Sequence, residues 1–383
     1  MSTRIAKALS TGRRHREVAP AKASEPRLDA LREQIAALRI LTEAAGVPES
    51  PDATARRSDA PMVRVFQLPR ASSDSLSADR DAQKREERIR ALLNERGALR
   101  VLGALAHPEL ADAISGLYRS HPNFKPAIDY VIGEEMLARQ KEDALCGLRL
   151  LLVGGPGVGK TDFALSLAKL LDLPCHVISM SSAQSSSGLG GSEVHWGNTK
   201  PGAVFECLIQ GNVGNVGKVA NVANPIFILD EVDKAADNWG DPLGALYQLL
   251  EPKTATTFVD KSVPWLAIDA SRLNWIATAN QPERLHEAIR SRFVEILVGA
   301  PPEDNLRTLV QGLYSSLLEE FGLEERFPAR LSRSAETVLI SWSIRDAKRL
   351  LRAALGHALR NGTNELVVTA DAAPASDRRI GFV

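Results

Sequence analysis

Lys160 and Thr161 close a glycine-rich run, Gly154–Thr161, that reads GGPGVGKT. The spacing G-x-x-x-x-G-K-T suits the phosphates of a nucleoside triphosphate. Glycines put no Cβ between backbone N–H groups and phosphate oxygens. Lys160 would reach the β- and γ-phosphates, and Thr161 would hold Mg2+. Gly154, Gly155, Pro156, Gly157, Val158, Gly159 and Asp162 are the expected nucleotide contacts beside them. About seventy residues further on, Asp230 and Glu231 follow an apolar run. Asp230 would hold Mg2+ through water, and Glu231 would polarise the water that attacks the γ-phosphate. Asn280 ends another apolar run, where its amide would face the γ-phosphate and help place that water. Arg290 and Arg292 end a short helical stretch. They are either surface arginines or a charge supplied to a neighbouring subunit's phosphate.

These side chains need a scaffold. Apolar runs over 150–153, 225–229 and 273–279 read as buried strands, and 175–180 as a short strand. The first runs into the glycine turn and then a helical pattern over 162–171, whose start adds a positive dipole end. A helix over 124–140 either covers a nucleotide base or packs ordinarily. From residue 301 the pattern is helical, over 303–321, 332–341 and 343–361, with Arg345 opening the third and a short strand over 365–369. Two aromatics stand in polar loops, Trp196 within 181–202 and Trp239 within 235–241. Each is either tucked into the body or displayed for contact.

Lys plus Arg and Asp plus Glu number 47 each, so the net charge is zero. That removes the electrostatic footprint of a nucleic-acid partner. Cys146, Cys175 and Cys207 have no C-x-x-C spacing and read as reduced core residues of a cytoplasmic protein. No apolar run approaches a membrane span, so no membrane partner is expected. With 383 residues, 44% of them apolar, the chain can form two or three compact units.

At this point the motifs resemble a family, the AAA+ ATPase module of Lon-type proteases. GGPGVGKT, ILDEVDK, GDPLGALYQLLEP, IATAN and SIRDAKRLL have Lon-like counterparts in the same order, over about 121–372. The resemblance implies an α/β P-loop NTPase (AAA+) with a parallel sheet core, followed by a small helical lid domain. A helical, partly disordered N-terminal region precedes it. The expected division is a disordered basic tail at 1–26 and a helical region at 27–120, read as an adaptor with a Pro/Ser-rich linker near 48–80. The nucleotide-binding domain follows at 121–300, the lid at 301–372 and a tail at 373–383. The resemblance further implies ATP and Mg2+ as cofactors. Asn280 matches sensor 1, Arg345 sensor 2 and Arg292 the trans arginine finger, with Arg290 as its substitute. Trp196 and Trp239 match the pore loops that grip polypeptide in a hexameric ring, a task suited to a large rigid aromatic. In Lon a proteolytic domain with a Ser–Lys dyad follows the lid; here about ten residues follow it, so an ATPase that is not itself a peptidase is expected.

The expectation is therefore a homo-oligomer, a hexamer, that hydrolyses ATP to remodel a polypeptide substrate. An ATP-gated interaction module recruiting a partner through its N-terminal helices, or a subunit working with a separate protease, are the alternatives.

Overall fold

The computed structural model describes residues 61–69, 80–183, 185–193, 199–211, 221–237 and 241–368. The expected tails at 1–26 and 373–383 lie outside the described residues, as do residues 27–60 of the expected N-terminal region.

The described residues begin with strand β1 (Met62–Arg64), helix α1 (Arg80–Arg96), β2 (Leu99–Val101) and α2 (Pro108–Ser115). Helix α3 (Lys125–Gln140), β3 (Arg149–Val153), α4 (Lys160–Leu170) and β4 (Cys175–Ser179) follow. After them come β5 (Ile226–Asp230), the two-residue strands β6 (Phe258–Val259) and β7 (Ala267–Ile268), β8 (Asn274–Ala279) and β9 (Val294–Leu297). Three helices close the described chain: α5 (Glu303–Phe321), α6 (Arg333–Leu339) and α7 (Ile344–Arg360).

Five strands make one sheet in the order β4-β5-β8-β3-β9, and each pairing is parallel. Burial on both faces explains the continuous apolar runs: all six residues of β8 are buried, as are four of the five in β3 and in β5. Strands β3 and β5 flank β8, with Val153 opposite Ala279 and Leu229 opposite Ala277. Their carboxyl ends therefore lie side by side, the place where open α/β sheets hold ligands.

The N-terminal segment departs from expectation. Residues 61–69 fall in the stretch read as linker, yet β1 pairs antiparallel with β2, and Phe66 bridges Ile268 of β7. Val65, Phe66, Leu93 and Leu102 join the main hydrophobic cluster of the sheet domain. The Pro, Ser and Asp around MVRVF mask a short apolar strand whose register is set by partners about 35 and 200 residues away. Arg100 is fully buried and donates to the carbonyls of Gly97, Leu99, Leu208 and Ile209. It ties this segment to the helical turn before residue 211.

Helices α5 to α7, expected as a lid, are capped locally. Ser332 accepts from Ala335 N, and Ser343 from Asp346 N, at the starts of α6 and α7. Gly322, with φ +62°, ends α5 in the left-handed conformation that glycine adopts without strain. The strand expected over 365–369 does not form across the described residues 365–368. Leu366 and Val368 pack against the lid cluster instead.

Candidate functional site

The loop between β3 and α4 is shaped by its glycines. Gly157 and Gly159 take φ +81° and +95°, a region that side chains disfavour. A Cβ on Gly154 would stand 2.3 Å from the carbonyl oxygen of Val298. Lys160, at the first position of α4, turns its ammonium back over this loop. Its Nζ donates to Gly154 O at 2.7 Å, Gly155 O at 2.9 Å and Asn280 Oδ1 at 2.8 Å. Lys160 is 8% exposed. Burial lowers its pKa, while Asp230, Asp233 and Glu231 oppose that fall and Arg345 adds to it.

The end of β5 meets the same loop. Thr161 Oγ1 donates to Asp230 Oδ1 at 2.7 Å, and Thr278 Oγ1 donates to the same oxygen at 2.8 Å. Glu231 N donates to Thr278 Oγ1 at 2.9 Å. Glu231 itself sits at φ +57°, an uncommon conformation for a residue with a Cβ and one often found at functional turns. Its Oε1 pairs with Lys234 Nζ at 2.6 Å. One hydroxyl and one carboxylate 2.7 Å apart are the small protein ligand set with which Mg2+ on substrate phosphates is held. The donors present therefore fit Mg2+ bound to a nucleoside triphosphate.

Several contributors were not legible as site residues. Thr278 is the one hydroxyl in the buried run NWIATA, and it links Asp230 to Glu231. Asn123 Nδ2 donates to Val158 O at 3.1 Å and Gly299 O at 3.0 Å, bracing the loop from outside. His121 is hydrogen-bonded to Asp162 Oδ2 at 3.0 Å, and its ring meets Phe124 and Phe163 edge-on. Asp162, expected as a nucleotide contact, also holds His121, in the turn before α3. Phe124 and Phe163 stack at 4.4 Å behind the glycine turn.

The arginines separate. Arg290 is held by both oxygens of Glu295, at 2.6 and 3.0 Å. Arg292 Nη1 donates to Ala288 O. Its Nε is buried without a hydrogen-bond partner, 3.9 Å from Glu251 Oε2. Arg345 is exposed in the first turn of α7, and its charge acts on Lys160. The neighbouring Ser343 comes close enough that a Cβ on Gly157 would lie 3.1 Å from its Cβ.

Trp196 and Trp239 lie outside the described residues. The neck of the Trp196 loop is described and is closed. Ser192 N donates to Lys200 O at 3.0 Å, and Lys200 N to Ser192 Oγ at 2.7 Å. Gly202 N donates to the buried Asp260 Oδ2 at 2.8 Å.

Residues 150–299 match the family described as ATPase family associated with various cellular activities (AAA). The chain is 32% identical over 235 residues to Lon protease of Mycoplasma mycoides subsp. mycoides, covering 60% of this chain and 28% of that one. It is 31% identical over 223 residues to a peroxisomal Lon protease homolog 2 of Oryza sativa subsp. indica, covering 57% and 24%. With the Caenorhabditis elegans homolog the identity is 27% over 272 residues, covering 70% and 34%. The chain thus spans about a quarter to a third of the length of these relatives. A solved structure of Hsp104 with ATPγS and FITC casein superposes with a TM-score of 0.52 at 16% identity, covering 66% of this chain and 48% of that one. That likeness bears on the fold. Among the described residues no helix is long and apolar enough to cross a membrane.

Proposed function

This chain carries an AAA+ module related to that of Lon proteases, and from that premise we propose that it hydrolyses ATP, as a homo-oligomeric ring, to remodel polypeptide. The observation that carries the reading is the junction of three strand ends. Lys160 meets Asn280, and Asp230 joins Thr161 to Thr278.

In this reading the backbone of Gly154–Gly159 and the ammonium of Lys160 bind the triphosphate. Thr161 and Asp230 hold Mg2+, which neutralises charge on the phosphate oxygens. Glu231 orients a water for in-line attack on the γ-phosphate, and Asn280 holds that water's geometry. Arg345 brings a positive charge from the lid to the same phosphates. Arg292 serves the phosphates of an adjacent subunit, where charge develops in the transition state. Its sparse bonding within one chain supports that role better than the tightly paired Arg290. Trp196 and Trp239 are assigned to contact with polypeptide, and the closed neck at Ser192 and Lys200 is suited to presenting such a loop. A hexamer and a cytoplasmic setting complete the proposal, the latter supported by three free cysteines.

The test is ATP turnover of wild type and Glu231→Gln, with and without an unfolded protein, alongside native mass in ATP. Glu231→Gln should bind ATP and remain assembled while turnover falls by about 10³-fold. Stimulation of the wild type by unfolded protein supports remodelling. Turnover by an assembled ring that ignores unfolded protein would move the reading to an ATP-gated recruiting module.

A further inference from the structure

Asp233 ends the run ILDEVD but has no part in the phosphate chemistry above. It lies in the 3-10 turn Val232–Asp237 after β5 and is 2% exposed. Its Oδ2 accepts the backbone N–H of Asn280 at 3.2 Å and of Gln281 at 3.1 Å. Its Oδ1 is buried and has no hydrogen-bond partner. A buried carboxylate with one unsatisfied oxygen costs free energy that a neutral acceptor would avoid. What the carboxylate holds is the backbone at the end of β8, one bond from the side chain that meets Lys160 at 2.8 Å.

Thr278 makes the converse connection. It belongs to β8 and accepts from Glu231 N, at the end of β5. Each strand end therefore grips the other: β8 sets Glu231 through a hydroxyl, and the turn after β5 sets Asn280 through a carboxylate. The two groups expected to place the attacking water are fixed by one reciprocal clasp.

We propose that Asp233 is a positioning residue for hydrolysis, setting the Asn280 side chain against Lys160 through the amides of Asn280 and Gln281. The proposal rests on the ATP-hydrolysing reading above. Asp233→Asn can keep an oxygen on both N–H groups and put its NH2 where the unpartnered oxygen lies. Asp233→Glu keeps the charge but displaces the acceptor.

The experiment measures kcat and the ATP Kd for both variants, in the wild-type and Asn280→Ala backgrounds. Displacement should lower kcat by about 100-fold with Kd within about threefold, whereas Asp233→Asn should lose less than about fivefold. In the Asn280→Ala background Asp233→Glu should cost less than about threefold more. A loss in Asp233→Asn larger than that in Asp233→Glu would overturn the proposal in favour of the charge. A full additional loss in the Asn280→Ala background would overturn the route through Asn280. Should Asp233→Glu fail to bind ATP, Asp233→Ala takes its place in the same cycle. If the wild type turns over no ATP, the ATPase reading fails, and amide exchange at Asn280 and Gln281 decides the clasp. Faster exchange in Asp233→Glu sustains it, and unchanged exchange ends it.

Discussion

The sheet domain and the lid bury separate interiors. The main cluster draws on residues from Val65 to Phe293, whereas the lid cluster runs from Val310 to Ala358 with Leu366 and Val368 packed on it. The sheet half of the site is tied internally: Lys160, Thr161, Asp230, Thr278, Asp233 and Asn280 bond one another or their backbones. From the lid, Ser343 approaches Gly157, and Arg345 acts on Lys160 through its charge. Rigid strand ends can hold small groups to a fraction of an ångström, which phosphate chemistry requires. A helix start that carries one arginine on a separate core can change its distance without disturbing that geometry.

Four experiments test this contrast. The sheet domain supplies Arg292, and Arg292→Ala should reduce ATP turnover by about 10³-fold or more while ATP still binds. Full turnover in this variant would remove the inter-subunit role. The lid supplies Arg345, and Arg345→Ala should cost about 10²-fold in kcat without altering the fold. A loss as large as that of Arg292→Ala would mean the lid is as much part of the catalytic frame as the sheet.

Leu351 is fully buried in the lid cluster. Leu351→Ala should destabilise the lid by about 2–5 kcal/mol. Calorimetry should then show one transition moved and the sheet's transition kept. Equal displacement of all unfolding would argue for a single cooperative core.

The smallest effect concerns the sheet edge. His176 of β4 stacks on Phe227 at 5.0 Å, and its Nε2 is buried without a partner. Burial lowers its pKa below the ordinary value of 6.5. As pH falls through that value the unfolded chain takes up the proton first, so stability is complete above it and declines below it. His176→Gln should flatten the fall of the sheet domain's melting temperature on the acid side of pH 6.5, leaving the lid transition unaffected. An identical acid slope in both proteins would exclude His176 as the cause.

Legibility followed the distance over which each group acts. The glycine run, Lys160 and Thr161 sit within eight consecutive residues, so local spacing carries their chemistry. Asp230 and Glu231 could be read because four buried apolar residues lead directly into them. Thr278 and Asp233 could not be assigned, since each acts only after β5 and β8 pair, about fifty residues apart in sequence. The strand MVRVF looked like linker for the same reason: its partners come from β2 and β7. Asp162 is an expected nucleotide contact, and its hydrogen bond to His121, 41 residues back, is set only by the fold.

The α/β pattern, the glycine-rich loop, the carboxylate pair at the end of β5 and the three C-terminal helices were set by the sequence alone. Each of these is written in short-range periodicity, glycine placement or an adjacent buried run. Tertiary structure alone decided which arginine is tightly paired, how Asn280 meets Lys160, and that residues 61–69 belong to the sheet domain. These depend on strand register and on buried hydrogen bonds between distant segments, and no local pattern of residues encodes such pairings.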